Sequence, residues 1–285
     1  QDYQMIDASF LQELQRFNLI VNKRVTSKYT GERKSIGSGS GTIFKEHRIY
    51  TPGDNFRAID WKVYARTDDL YVKMFEEERN LNVHILIDTS GSMAFNEKFD
   101  YAAKLGLGFA FLALKNNEKI HFSTFAKDIA TFKGSKGQRQ ILTMMDHLNK
   151  IKPAGVSEIF DSVRAYKKGI HSRSFIVIIS DFLTDIDKII ASLKLLGKGH
   201  TVRIVQVLDI EEKDMPLEGD FTLLDAESDG KLRTYISKRT QQTYVKRLNQ
   251  HVNEIRSACN ELGFQFFQFT TEKPVFDTFF ELVNS

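Results

Sequence analysis

The most restrictive feature of the sequence is an alternation of short apolar runs with helical patterns that starts at Leu81 and continues along the rest of the chain. Short apolar runs of this kind are typical of strands buried on both faces of a sheet. Strands that alternate with helices are joined by right-handed crossovers, which produce a mainly parallel sheet covered by helices. The sequence therefore predicts a doubly wound, mainly parallel α/β domain over residues 81–285.

The individual elements follow from the same patterns. The predicted strands are 81–88, 119–125, 128–132, 174–180, 201–208 and 264–269. The predicted helices are 97–116, 136–150, 158–170, 185–196, 238–262 and 275–283. Residues 220–236 are predicted to form a hairpin, because the sequence SDG at 228–230 separates two strand-like runs.

Residues 1–80 are predicted to form an N-terminal extension that packs on the main domain. Phe10, Leu14 and Phe17 recur at helical spacing, so residues 7–24 are expected to form an amphipathic helix. A basic loop rich in Gly, Ser, Lys and Arg follows, and then a β-rich segment up to residue 80. The basic residues are interpreted as a solvated loop rather than a binding site.

Composition excludes several classes of protein. The 285 residues carry 40 basic and 37 acidic side chains, a near balance that does not predict a nucleic-acid partner. The single cysteine, Cys259, excludes an internal disulfide and a cysteine-cluster metal site. No apolar stretch approaches the roughly 20 residues that cross a bilayer. We therefore expect a cytoplasmic protein without a transmembrane segment.

Carboxylate and hydroxyl side chains follow three of the predicted elements. The first strand runs into DTSGSM, which contains Asp88, Ser90 and Ser92, the loop 152–158 offers Ser157, and the strand 174–180 runs into Asp181. Because the carboxyl ends of parallel strands share one edge of the sheet, these side chains are expected to meet. Oxygen ligands without histidine or thiolate suit Mg²⁺ or Mn²⁺.

Each of these residues also has an ordinary structural interpretation. Ser90 or Ser92 fits the N-cap of the next helix, and Ser157 fits an N-cap with Glu158 in the first turn. Asp88 and Asp181 fit turn or loop carboxylates. The occurrence of all five residues at the three expected loops favours a metal site.

DTSGSM resembles the metal-ion-dependent adhesion site, Asp-x-Ser-x-Ser, of von Willebrand factor A domains. By that resemblance Ser90 and Ser92 would bind the ion directly and Asp88 would act mainly through a water. Ser157 stands where that family usually has threonine, and Asp181 matches the aspartate of the third loop. The resemblance implies a von Willebrand factor A-like fold.

The segment HRIYTPGDNFRAIDWKVYARTDDLYVKMFEEE, residues 47–78, is similar to the signature of the bacterial family catalogued as domain of unknown function fifty-eight. Members of that family lie beside MoxR-type AAA+ ATPases in genomes, which implies such an ATPase as a partner. Within this segment two sets of apolar residues are expected to form short strands, with Trp61 as a packing anchor: Leu70, Val72 and Met74, which alternate, and Ile59, Trp61 and Val63. Six charged residues are expected to form an internal ion-pair network: Arg48, Asp54, Arg57, Asp60, Arg66 and Lys73.

These patterns favour a non-enzymatic module that uses a bound metal ion to capture an acidic residue of a partner protein. The alternative is a Mg²⁺-dependent phosphohydrolase with Asp88 as nucleophile. Phosphatases of that type place a second acid two residues later as general acid, and Ser90 in that position cannot protonate a leaving group near neutrality. A third class, a binder of nucleic acid or acidic lipid, would depend only on the basic stretches 23–34 and 133–139.

Overall fold

The computed structural model describes residues 5–25, 34–38, 43–78, 81–132, 139–224 and 231–285. The strands are β1 (Lys34–Ser38), β2 (Ile43–Ile49), β3 (Tyr71–Glu78), β4 (Asn82–Asp88), β5 (Lys119–Phe125), β6 (Ile129–Thr131), β7 (Ser174–Ser180), β8 (Thr201–Leu208), β9 (Gly219–Leu224), β10 (Lys231–Ile236) and β11 (Gln265–Thr270). The helices are α1 (Ala8–Val25), α2 (Trp61–Thr67), α3 (Lys98–Lys115), α4 (Arg139–Leu148), α5 (Ile159–Lys167), α6 (Ile186–Leu196), α7 (Ile210–Asp214), α8 (Lys238–Leu262) and α9 (Val275–Asn284).

The chain divides into two compact units, which are described separately. The first unit comprises Gln1–Leu19 and Asn82–Ser285, and the second comprises Ile20–Leu81. The first part of the N-terminal helix is therefore grouped with the residues of the predicted α/β domain. The predicted packing of the extension on the main sheet stays a prediction.

The first unit is built on a six-stranded sheet in the order β11, β8, β7, β4, β5, β6. Neighbouring strands are parallel, except that β6 runs antiparallel to β5. The predicted mainly parallel α/β fold is thus confirmed. From β4 the chain continues to β5 on one side and later to β7 on the other. The sheet therefore has a topological switch point at β4, where open α/β sheets usually bind ligands.

The central strands are apolar because both faces of the sheet are covered. Every residue of β7 is buried, as are Val83 to Asp88 of β4. Helix α3 lies against β4 at Gly106, where a Cβ atom would stand only 2.4 Å from Ile87 Cδ1. A side chain at this position would meet the end of the buried Ile87 side chain, so glycine allows the helix to lie close to the strand.

Helix α1 contributes to the core of the first unit through its first turns. Ile6, Phe10, Leu14 and Phe17 are buried, and the rings of Phe10 and Phe17 pack on aromatic side chains of α9. The predicted amphipathic helix is therefore present and uses its apolar face for packing.

The other predicted strands and helices of residues 81–285 are present within a few residues of their expected bounds. The predicted hairpin is confirmed by the antiparallel pairing of β9 and β10. Its SDG turn lies outside the described residues. Helix α7, at Ile210–Asp214, was not predicted. Over the described ranges, no helix combines the length and apolar character that crossing a bilayer would require.

The second unit contains a three-stranded antiparallel sheet in the order β1, β3, β2. The strand predicted through Val72 and Met74 is confirmed, since both residues lie in β3. The prediction of a strand around Trp61 and Val63 is wrong, because both residues lie in α2. Asp60 caps this helix by accepting hydrogen bonds from the backbone N–H groups of Lys62 and Val63. Trp61 is also not a packing anchor, since 57% of its surface is exposed.

The charged residues of the second unit form short local pairs rather than an internal network. Arg48 pairs with Asp54 at 2.6 Å, and Lys73 lies 3.5 Å from Asp60. A hydrogen bond from His47 is the largest contribution that lowers the pKa of Asp60 to about 2. The Arg48 side chain is 42% exposed, so this pair is not internal. Of the basic loop, Lys28 and Arg33 lie outside the described residues.

We predict that Gly106→Ala destabilises the protein by about 1–3 kcal/mol, because the added methyl group overlaps a fully buried side chain. Ile87→Val removes the overlapping Cδ1 atom, so Gly106→Ala should cost less in that background. Denaturant unfolding of the wild type, the two single variants and the double variant measures this coupling. Equal costs of Gly106→Ala in both backgrounds would contradict the close approach of α3 to β4.

Candidate functional site

Three loops meet at the switch point, at the carboxyl ends of β4 and β7. Backbone hydrogen bonds hold the first two loops together. The N–H of Gly91 donates to the carbonyl of Gly155 at 2.7 Å, and the N–H of Ala154 donates to the carbonyl of Thr89 at 2.9 Å. The backbone alone therefore holds the loop 152–158 beside DTSGSM.

The carboxylate of Asp88 lies at the centre of the site and is fully buried. Its Oδ2 atom accepts hydrogen bonds from the hydroxyl groups of Ser157 at 2.9 Å and Ser180 at 2.7 Å. Its Oδ1 atom accepts from the backbone N–H of Ser90 at 2.8 Å. Burial raises the pKa of Asp88, the charge of Asp181 raises it further, and the hydrogen bonds of Ser180 and Ser90 partly oppose this increase.

Neither serine hydroxyl of the DTSGSM loop caps a helix. The Oγ atoms of Ser90 and Ser92 lie 3.2 Å apart, and Ser90 makes no side-chain capping bond to the turn that follows. Ser157 is not a cap either, because Glu158 is the N-cap residue of α5. Ser90 occupies the N-cap position of the short turn Gly91–Ala94, but its hydroxyl group makes no capping bond there. The hydroxyl group of Ser157 donates to Asp88 instead of to a helix end.

Asp181 stands next to Ser180, but its side chain contacts a different partner. Its Oδ2 atom accepts a hydrogen bond from Lys98 Nζ at 2.8 Å, and its Oδ1 atom accepts from the N–H of Leu183 at 3.3 Å. Four of the five predicted site residues thus form one hydrogen-bonded cluster: Asp88, Ser90, Ser92 and Ser157. Asp181 is adjacent to this cluster and is held by a buried ion pair.

Lys98 and Glu212 complete this ion pair, and neither was predicted. The Lys98 side chain is 0% exposed, and its ammonium group also donates to Glu212 Oε1 at 2.6 Å. Lysine is almost never fully buried unless it is paired. Burial raises the pKa of Glu212, and the charge and hydrogen bond of Lys98 oppose that increase.

Helix α7 positions Glu212. The side chain of Asp209 accepts from the N–H of Glu211, and Glu212 Oε2 accepts from the N–H of Asp209, which together form a capping box. One oxygen of Glu212 therefore caps the helix while the other contacts Lys98. The capping box therefore fixes the Glu212 carboxylate that accepts the hydrogen bond of the Lys98 ammonium group.

The loop after β7 is held from several sides. Phe182 is buried and has a φ of 51°, a left-handed conformation that is strained for a bulky residue. Its N–H donates to Ser180 Oγ at 3.0 Å, and its carbonyl lies 2.7 Å from His251 Nε2. Gln206 Nε2 donates to the carbonyl of Asp181 at 2.8 Å. These contacts stabilise the strained turn that places Ser180 and Asp181.

The donor set fits a hard divalent cation. Adjacent ligands of an octahedral Mg²⁺ ion with bonds of about 2.1 Å stand about 3.0 Å apart, close to the separation of the two hydroxyl groups of Ser90 and Ser92. Within the part of the chain that the structure describes, no three His, Cys, Asp or Glu side chains converge as metal ligands. Any metal site here would therefore depend on hydroxyl groups as well as carboxylates.

Comparison with known families identifies the chain. The model of the family described as "Protein of unknown function DUF58" matches residues 46–254, which is more than half of the sequence. The chain belongs to this family. The match includes the signature segment and the loops that carry the five predicted site residues.

Similar bacterial proteins extend over most or part of the chain. The uncharacterised protein Rv1480 of Mycobacterium tuberculosis is 26% identical over 277 residues, which cover 94% of this chain and 86% of that protein. The uncharacterised protein YeaD of Bacillus subtilis is 31% identical over 134 residues, which cover 47% of this chain and 33% of that protein.

Solved structures with similar folds include two bacterial proteins. An aerotolerance-related membrane protein from Bacteroides fragilis has a TM-score of 0.43 at 16% identity, covering 72% of this chain and 99% of that one. A von Willebrand factor type A protein from Catenulispora acidiphila has a TM-score of 0.47 at 8% identity, covering 88% of this chain and 48% of that one. Both TM-scores are low, and neither likeness carries a functional conclusion.

We predict that Asp88→Asn makes the metal-free protein more stable than the wild type at neutral pH. Because the pKa of Asp88 is raised by burial, the stability that its neutral form contributes is present at acid pH and is lost as the pH rises through the raised value. The difference between the two proteins should therefore grow from acid to neutral pH. Thermal unfolding in EDTA across this range measures it, and parallel curves for the two proteins would contradict the prediction.

Proposed function

We propose that this protein is a non-enzymatic binding module that holds Mg²⁺ or Mn²⁺ at the switch point and captures an acidic residue of a partner protein. The observation that carries this proposal is the cluster of serine hydroxyl groups around the buried carboxylate of Asp88. The resemblance of DTSGSM to an adhesion-site motif agrees with it.

The residues present could hold the ion without many charged ligands. Ser90 and Ser92 would bind it through their Oγ atoms, with Ser157 at or near it. Asp88, whose oxygens already accept hydrogen bonds, would act mainly through a bound water, and Asp181 would act from the next shell of contacts. When bound, the ion would supply an electrophilic centre with an exchangeable position, which suits a carboxylate from another protein.

The proposed partner is a MoxR-type AAA+ ATPase, and the proposed role is chaperone-like or in assembly. This partner comes from the resemblance of residues 47–78 to a family whose members lie beside such ATPases. A cytoplasmic location is the expectation that fits such a partner.

We predict that the wild type binds Mn²⁺ and that the Ser90→Ala, Ser92→Ala pair and Asp88→Ala each weaken this binding by about tenfold or more, because the hydroxyl groups and the buried carboxylate supply the proposed ligands. Ser172→Ala, at the opposite end of the sheet, is the matched control and should bind like the wild type. Calorimetric titration of the four proteins provides the measurement. Equal affinity in the wild type and Asp88→Ala would refute the metal site.

We predict that Mg²⁺ and the candidate ATPase tighten each other's binding by the same factor, since linkage between two ligands is reciprocal. EDTA and the serine pair should both weaken the complex, while Ser172→Ala should not. Calorimetry of the complex with and without Mg²⁺ provides the comparison. Undiminished ATPase binding in EDTA would refute the metal bridge and leave the fold unaffected.

The alternative function, a Mg²⁺-dependent phosphohydrolase, predicts that the protein releases phosphate from a phosphoester. The carboxylate of Asp88 is buried and already accepts three hydrogen bonds, which does not favour it as a nucleophile. We therefore expect no release of phosphate from a general phosphoester in the presence of Mg²⁺. Turnover that Asp88→Asn abolishes and Ser172→Ala preserves would support the enzyme instead.

A further inference from the structure

A lysine side chain is buried beside the candidate metal site, and the proposed function does not use it. Lys98 is the first residue of α3, where the helix dipole disfavours a positive charge. Its ammonium group is nevertheless fully buried and contacts Asp181 at 2.8 Å and Glu212 at 2.6 Å. Because this position is unfavourable for α3, the charge of Lys98 is stabilised mainly by its two carboxylate partners outside the helix.

The formal charges of the side chains around the site do not cancel. Asp88, Asp181 and Glu212 carry three negative charges when all are ionised, and Lys98 carries one positive charge, so two negative charges remain. One divalent cation would neutralise this remainder. Without Lys98 the same site would hold three negative charges, and a bound divalent cation would leave an excess negative charge facing any carboxylate of a partner.

We infer that Lys98 is a built-in counter-cation of the site, which stabilises Asp181 in the metal-free protein and limits the affinity for a divalent cation. This inference rests on the proposed metal site and adds a positioning residue to it. By sharing Asp181, Lys98 keeps that carboxylate from becoming a strong direct ligand. The site then binds a divalent cation modestly and leaves it able to attract an acidic group.

A purely structural role for Lys98 would have a different signature. An ion pair that only supports the fold would change the unfolding temperature when it is removed, with no change in metal affinity of the folded protein. A counter-cation changes both quantities, and in opposite directions. The two measurements together therefore separate these roles.

The test uses the full chain and Mn²⁺ as the probe, with free Mn²⁺ followed by electron paramagnetic resonance. Lys98→Met removes the charge and keeps a similar length, while Lys104→Met removes a lysine from the same helix as the control. Glu212→Gln removes one negative charge, and the double variant Lys98→Met, Glu212→Gln restores the charge balance without the ion pair. Thermal unfolding of each protein in EDTA accompanies the titrations.

Lys98→Met should bind Mn²⁺ roughly tenfold more tightly or more, because a positive charge within the low-dielectric site is lost. Its unfolding temperature in EDTA should fall below that of Lys104→Met, since the buried Asp181 and the partly buried Glu212 lose their partner. Glu212→Gln should bind Mn²⁺ more weakly than the wild type, and the double variant should return toward wild-type affinity.

Each other outcome is informative. Equal or weaker Mn²⁺ binding in a folded Lys98→Met protein would overturn the inference and leave the metal site standing. Binding in Lys98→Met but not in the wild type would support the counter-cation and refute the proposed resident metal. Absence of binding in both would overturn both proposals. If Lys98→Met does not fold, unchanged or tighter binding in Glu212→Gln would overturn the inference.

Discussion

The site depends on the burial of one carboxylate, Asp88, at the end of the central strand. A carboxylate that is taken out of water must receive hydrogen bonds or a balancing charge, because its transfer into the protein interior is otherwise very unfavourable. Ser157, in the loop before α5, and Ser180, at the end of β7, supply hydroxyl donors, and the backbone of Ser90 supplies a third donor. These three donors satisfy Asp88 at the place where the backbone already brings the loops together.

The second buried carboxylate is stabilised by a different means. Asp181 is adjacent in sequence to Ser180, yet it pairs with the Lys98 ammonium group rather than with hydroxyl groups. The edge of the sheet is therefore divided into a hydroxyl-rich region around Asp88 and an ion-paired region around Lys98. Only the first region offers the neutral oxygen donors that suit an exchangeable cation.

Much of the fold and part of the site could be predicted from the sequence. Asp88 and Asp181 follow long apolar strands, and strand ends of a parallel sheet must share an edge. Ser180 was missed because it was assigned to a fully buried strand. A hydroxyl group at the carboxyl end of an otherwise apolar strand could have indicated a site residue. Glu212 was missed because α7 has five residues, too few for a helical period to show. The sequence around Lys98 does not indicate that its side chain is buried, because its partner Glu212 is distant in sequence. The exposure of Trp61 cannot be inferred from the size of its side chain.

The hydroxyl group of Ser180 connects the hydroxyl-rich region to the loop that follows β7. It donates to Asp88 and also accepts the N–H of Phe182, whose left-handed backbone conformation costs roughly 1–3 kcal/mol and persists only because its neighbours hold it. His251 of α8 holds the carbonyl of the same residue. The Ser180 hydroxyl group therefore joins the buried carboxylate of Asp88 to the backbone of the strained loop. The contacts that run from Asp88 to α8 thus pass through the Ser180 hydroxyl group and the backbone of Phe182, the one residue of this loop in a left-handed conformation.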